Sequence, residues 1–137
     1  MHNLFRSVCA AALLALPFSV SADLSEVPSG KYTLDSSHGY ITFTYNHLGF
    51  SNPRVGFNRF DTDLELDSSD PENSVIEVTI DASSIDSRVP EFNDHLNGSE
   101  FFNTAEYPTI TFKSTKIEAT GENTFDVTGN LTILGTT

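Results

Sequence analysis

From Gly30 to Leu134 apolar side chains return at every second position, and this period of two constrains the fold more than any other feature. In Tyr40 to Leu48, Ile41, Phe43, Tyr45 and His47 fall on one face of an extended chain, with Thr42, Thr44 and Asn46 on the other. Lys31 to Asp35 is a shorter strand. Val75 to Asp81 aligns Ile76, Val78 and Ile80, Thr109 to Ile117 aligns Ile110 and Phe112, and Thr124 to Leu134 aligns Phe125, Val127, Gly129, Leu131 and Ile133. Val55 to Asp67 reads as one long strand with a broken phase, since Val55 and Phe57 are odd but Phe60, Leu64 and Leu66 are even. A bulge near Asn58 and Arg59 restores the phase and bends the strand. One stretch departs from the period. Phe92, His95 and Leu96 sit at helical spacing, which predicts a short helix ending near Asn97 and Gly98. Six strands with one helical interruption predict an all-β antiparallel barrel or sandwich. Neither an internal repeat nor an interdomain linker interrupts it.

The first 22 residues belong to something else. Arg6 supplies a short basic head, Val8 to Leu16 an apolar core, and Val20-Ser21-Ala22 a small-residue cleavage site. This is the pattern of a secretory signal peptide, with cleavage expected after Ala22 and residues 23–137 forming one domain. An apolar core this short is well under the ~20 residues that span a bilayer, so no stable membrane anchor is expected. Cys9, the one cysteine, goes with the leader. The secreted domain then has no disulfide, no thiolate metal site and no cysteine nucleophile.

The chain carries 19 acidic against 7 basic residues, a formal charge of −12. Such a balance repels nucleic acid and anionic membrane surfaces and favours solubility. His38 and His47 are nine positions apart, so a regular strand puts them on opposite faces and ~30 Å from each other at about 3.3 Å per residue. His95 belongs to the helix, and no HxH or HxxxH pair exists, so no metal site is expected. Asp61, Asp63, Glu65 and Asp67 line one strand face without the glycine turn and terminal glutamate of a calcium loop. They read as a solvated face that guards a sheet edge. There is no GxSxG elbow, HExxH helix or phosphate loop. The Asn97-Gly-Ser and Asn130-Leu-Thr sequons carry no weight, Asn130 being mid-strand.

The positive signal is aromatic: eleven Phe and four Tyr, with no Trp. In a small barrel, inward rings either fill the interior or line a cavity, and periodicity does not separate the two.

The order of the motifs adds a resemblance. The run His38 to Ser51, followed by Gly56 to Phe60, resembles the opening signature of the YceI-like, polyisoprenoid-binding family. Ser74 to Asp86, Asp94 to Leu96, Glu100 to Phe102, Tyr107 to Ser114 and Val127 to Ile133 resemble its later segments. The resemblance implies a lipocalin-like antiparallel barrel of about eight strands, secreted to the periplasm. It would hold an isoprenoid or quinone-like lipid in an elongated apolar cavity, without catalysis, cofactor or metal. Ile41, Phe43, Tyr45 and His47 would form one wall, with His47 a polar contact near one end. Phe92, Leu96, Phe101 and Phe102 would belong to the helix and loop covering the barrel. Phe57, Ile76, Val78, Ile110, Phe112, Leu131 and Ile133 would supply the remaining apolar lining. The family continues past the position of Thr137 with strands that close the barrel, so the chain is expected to be a piece of a longer protein with about six strands here.

Three functions follow as expectations: a lipid carrier or store, an enzyme on such a lipid with His47 or His95 as base, and a filled-core structural or stress-response module. The first is favoured, and a homodimer is left open.

Overall fold

Extended segments form where the period of two predicts them, and the computed structural model pairs all of them antiparallel over the residues it describes, 24–121 and 123–137. The leader expected over residues 1–22 lies outside this range. In chain order the elements are β1 (Gly30–Thr33), β2 (Ile41–Thr44), β3 (Arg54–Phe57), β4 (Phe60–Leu66), β5 (Val75–Asp81), β6 (Ile85–Asp86), α1 (Pro90–Asn97), β7 (Thr109–Gly121) and β8 (Thr124–Thr132). The strands make a five-stranded sheet, β1-β4-β5-β7-β8, and a three-stranded sheet, β2-β3-β6. Among the described residues no ladder joins the two, so the lipocalin-like architecture is open rather than closed.

Among the described residues there are eight strands, not six. The expected strand from Val55 to Asp67 is two strands in different sheets, and β6 is too short to leave a periodic signal. The broken phase at Asn58 and Arg59 is therefore a sheet crossing and not a bulge. Hydrogen bonds hold that corner. The Asn58 amide donates to the Ser84 carbonyl at 3.0 Å, and the Arg59 amide donates to Ser84 Oγ at 3.0 Å. The Asp81 amide donates to the Arg59 carbonyl at 3.0 Å, while Arg59 Nε reaches Asp81 Oδ2 at 2.8 Å. A 3-10 turn at Ala82–Ser84 sends the chain back from β5 to β6, so the two crossings brace each other. Strands that change sheet at a bend are a usual way to turn a corner between packed sheets.

A real bulge lies elsewhere. In β7 the register against β8 shifts between Ser114 and Lys116. Without that extra residue Ile117 would face outward. With it, Ile117 pairs with Val127 on the face that carries Phe112 and Ser114, and it is buried.

The core sits between the three-stranded sheet, α1 and one end of the five-stranded sheet. Val55, Phe57, Ile80, Ala82, Ile85, Leu96 and Ile110 are buried there. Val55 is 1% exposed; full burial of such a side chain contributes about 1.5–3 kcal/mol. Pro90 opens α1 at a position where its missing N–H costs nothing. Asn93 ties the preceding loop to the helix, its Oδ1 accepting from the Ser87 amide at 2.7 Å. Gly98 ends the helix as expected, but with φ −67 and not in the left-handed conformation. Its role is close approach, since a Cβ there would lie 3.1 Å from the His95 carbonyl oxygen.

Candidate functional site: an apolar sheet face with one end sealed

The inner face of the five-stranded sheet is built in cross-strand rows. Phe60 pairs with Ile80, and Ile80 with Ile110. The next row runs Thr62, Val78, Phe112, Leu131, and the one after it begins Tyr32, Leu64, Ile76. Beyond the bulge come the Ile117–Val127 and Ala119–Phe125 pairs. Ile110 and Ile80 are buried beneath the smaller sheet and α1. Away from that end the cover runs out: Phe112, Ile76 and Val78 are half-buried, Val127 is 44% exposed and Leu131 48% exposed. The result is a largely apolar face, sealed at one end, open around Val78, Phe112 and Leu131, and buried again at Ile117.

The sealed end is aromatic. The Phe43 ring lies 6.0 Å from Phe57 and 6.0 Å from Phe102, and Phe57 meets Phe102 edge-on at 5.7 Å. Such tilted and edge-on pairs add to the area they bury.

Ten of the sequence-nominated residues meet in or against this cluster. Phe57, Leu96 and Ile110 are buried in it, and Ile41, Phe43, Tyr45, Val78, Phe92, Phe102 and Ile133 pack on it. Ile76, Phe112 and Leu131 lie farther along the same sheet face. Phe101 stands apart, its ring 4.6 Å from that of His95. His47 is exposed beyond the end of β2, its ring edge-on to Tyr45 at 6.4 Å. Val55, Ile80 and Ile85 are buried partners that the nomination omitted. The first two were on the alternating faces already and could have been found that way; Ile85, in a two-residue strand, gave no signal.

The polar candidates stay on the surface. Asp61, Asp63 and Glu65 point outward from β4, and Lys113 pairs with Glu77 on the same outer face. His38 contacts Asp35 at 2.8 Å in an exposed turn. The Ser37 hydroxyl, with help from His38, holds the Asp35 carboxyl below its usual range. Among the described residues no three His, Cys, Asp or Glu side chains cluster as metal ligands would. The main open groove, about 800 Å³, is of another kind: it is lined by Arg54, Arg59, Arg88, Asp86, Tyr40 and Thr42 among others. Gly56 lies between Thr42 and Asp86 in the cross-strand row, where a side chain would otherwise project into this groove.

The chain is similar to known proteins. Residues 32–137 match the YceI-like domain. A UPF0312 protein of Azotobacter vinelandii is 38% identical over 108 residues, which cover 77% of this chain and 56% of that protein. A UPF0312 protein of Shewanella oneidensis is 36% identical over 98% of this chain and 68% of its own length. Among solved structures, BcnA of Burkholderia cenocepacia superposes with a TM-score of 0.69 at 28% identity, covering 74% of this chain and 63% of that one. The YceI protein of Campylobacter jejuni gives 0.59 at 32% identity, covering 76% and 61%. The chain thus spans little more than half to two thirds of the proteins it resembles. With the domain match, these identities and the shared antiparallel architecture together, the chain belongs to the YceI-like family.

Proposed function

We propose that the protein is a non-catalytic carrier or store for a long apolar lipid, an isoprenoid or quinone-like molecule, working in the periplasm. The observation that carries this reading is the uneven burial of one largely apolar sheet face, closed by aromatic rings at one end and open from Val78 to Leu131. The relatives are longer than this chain, and a long lipid laid along that face would share its cover with that further length. Secretion is supported by the leader pattern around Arg6, Val8 to Leu16 and Ala22. The enzyme alternative lacks a constellation among the described residues: His47 and His95 are exposed, and the His–carboxylate contact of His38 with Asp35 sits in a solvent-facing turn.

The energetics call for length. One five-carbon unit contributes about 4 kcal/mol at ~0.8 kcal/mol per carbon, while association costs about 4–15 kcal/mol, so several units must be covered at once. The expected result of titrating prenyl alcohols of increasing length is affinity that climbs and then levels. A flat series sinks the proposal.

One observation favours a second reading, a filled-core module: Phe43, Phe57 and Phe102 already occupy one end of the interior. Leu131→Asp separates the two. The side chain is half exposed, so folding survives in either case; prenyl binding is lost only if the open face is the site.

A further inference from the structure

The hairpin between β2 and β3 holds two large apolar side chains in water. Leu48 is 78% exposed and Phe50 89% exposed. The Phe50 amide closes the turn on the His47 carbonyl at 3.0 Å, and Asn46 Oδ1 accepts from the Gly49 amide at 2.8 Å. Leu48 and Gly49 occupy the two left-handed positions, with φ 55 and 78. Gly or Asn is favoured in that conformation, so Leu48 is disfavoured both by its backbone and by its solvation. Strain kept at an exposed position points to a contact made elsewhere.

Charge says what kind of contact. In a chain of net charge −12, the stretch from Ser36 to Phe60 has no Asp or Glu and contains Arg54 and Arg59. Arg88 joins them in the 800 Å³ groove at the base of the hairpin, so all three arginines of the described chain line one recess. Arg59 is held by Asp81 and Ser83. Arg54 and Arg88 make no side-chain hydrogen bond or salt bridge among the described residues, although Asp86 is near enough that the Arg88 amide, helped by the Arg88 charge, lowers its carboxyl from the ordinary value. The one carboxylate in the groove is Asp86, already accepting from the Arg88 amide and from Asn58 and Asn93. Arg54 opens β3 four residues after Phe50, at most roughly 13 Å along the chain at about 3.3 Å per residue. That offset suits an apolar tip in the acyl boundary with a guanidinium at the phosphates.

We propose that the β2–β3 hairpin docks the protein reversibly on an anionic bilayer, with Leu48 and Phe50 entering the headgroup–acyl boundary and Arg54 and Arg88 engaging lipid phosphates. Net charge repels the rest of the molecule from such a surface and thereby orients it. The docking stands independently of whether the inner sheet face carries a lipid.

The chain contains no Trp, so Phe50→Trp installs a single tryptophan at the tip, excited apart from the tyrosines. Its emission is followed with vesicles of phosphatidylglycerol and phosphatidylethanolamine, and with vesicles of phosphatidylcholine alone. Because Trp itself favours interfaces, the unlabelled chain is co-sedimented with the same vesicles. The expected result is a blue shift and co-sedimentation with the anionic vesicles, both weakened by salt. Leu48→Ser removes co-sedimentation, and Arg54→Gln with Arg88→Gln lowers partitioning about ten-fold. Circular dichroism checks that these surface variants stay folded. An unshifted emission with the protein left in the supernatant overturns the proposal. So does a blue shift that grows with protein concentration in the absence of vesicles, which would put a second copy on the hairpin. Binding of soluble prenyl alcohols is measured separately and is indifferent to these outcomes.

Discussion

Ser84 and Gly129 are small residues on which large ones depend. Ser84 Oγ accepts from the Arg59 amide at 3.0 Å and donates to the Asp81 carbonyl at 2.6 Å, so one buried hydroxyl fastens both sheet crossings. Ser84→Ala strands the part-buried Arg59 amide and is expected to cost about 1–3 kcal/mol, measured as a lower urea midpoint. Gly129 lies under the Phe112 ring. A Cβ there would sit 2.4 Å from Phe112 Cζ and 2.5 Å from the Lys113 carbonyl oxygen. The carbonyl cannot move aside as a side chain could, so Gly129→Ala is expected to destabilise by about 1–3 kcal/mol in thermal melts. Neither role was legible in the sequence. Ser84 sits among several turn serines, and Gly129 occupies an apolar face with nothing to show that a ring covers it. Asp81 gives the acid response its sign. The Ser83 hydroxyl, then Arg59, holds its carboxyl below the ordinary value of 3.8. As pH falls the unfolded chain takes up the proton first, so this contribution is complete above the ordinary carboxylate range and is lost as pH drops through the lowered native value. The stability gap between the native protein and Asp81→Asn, followed by urea melts from pH about 6 to about 3, is expected to close.

Strands carry the account at the next scale. Alternation located β2, β5, β7 and β8, and in β2 and β5 the apolar face is the more buried one, because a period of two is what one-sided burial requires; it overran at His47, which lies exposed past the end of β2. It failed where the chain changes sheet. A phase break reads the same from a bulge and from a crossing, and only the partner strands tell them apart: β3 pairs with β2 and β6, whereas β4 pairs with β1 and β5. The bulge in β7 went unseen for a related reason, since Phe112 and Ile117 change phase across threonine and lysine positions that carry no signal of their own. Within the three-stranded sheet, Phe57 contacts both Phe43 and Phe102. Phe57→Ala therefore opens a cavity under the aromatic seal and is expected to cost about 3–5 kcal/mol. Leu131→Asp, on the open stretch of β8, is expected to leave the melting temperature nearly unchanged.

Across the described residues the five-stranded sheet turns its charged side chains outward and its apolar ones inward, while Tyr40, Leu48 and Phe50 at the smaller sheet's end stand in water. The acidic row of β4 and the Lys113–Glu77 pair keep the outer face wet. Among the described residues no helix is long and apolar enough to cross a membrane. The candidate site is therefore legible as a face rather than as a constellation, which is why the sequence could nominate Ile41, Phe43, Phe57 and Ile110 together but could not say which of its aromatic rings seal and which line. The central claim is that this face carries a long apolar chain. Native mass spectrometry of the protein purified from its source cells, with organic extraction of the bound material, tests it most directly. The account predicts a discrete added mass that matches a prenyl or quinone-like chain and that is absent from Leu131→Asp. A protein that arrives empty, and that stays empty when offered long-chain polyprenols, contradicts it.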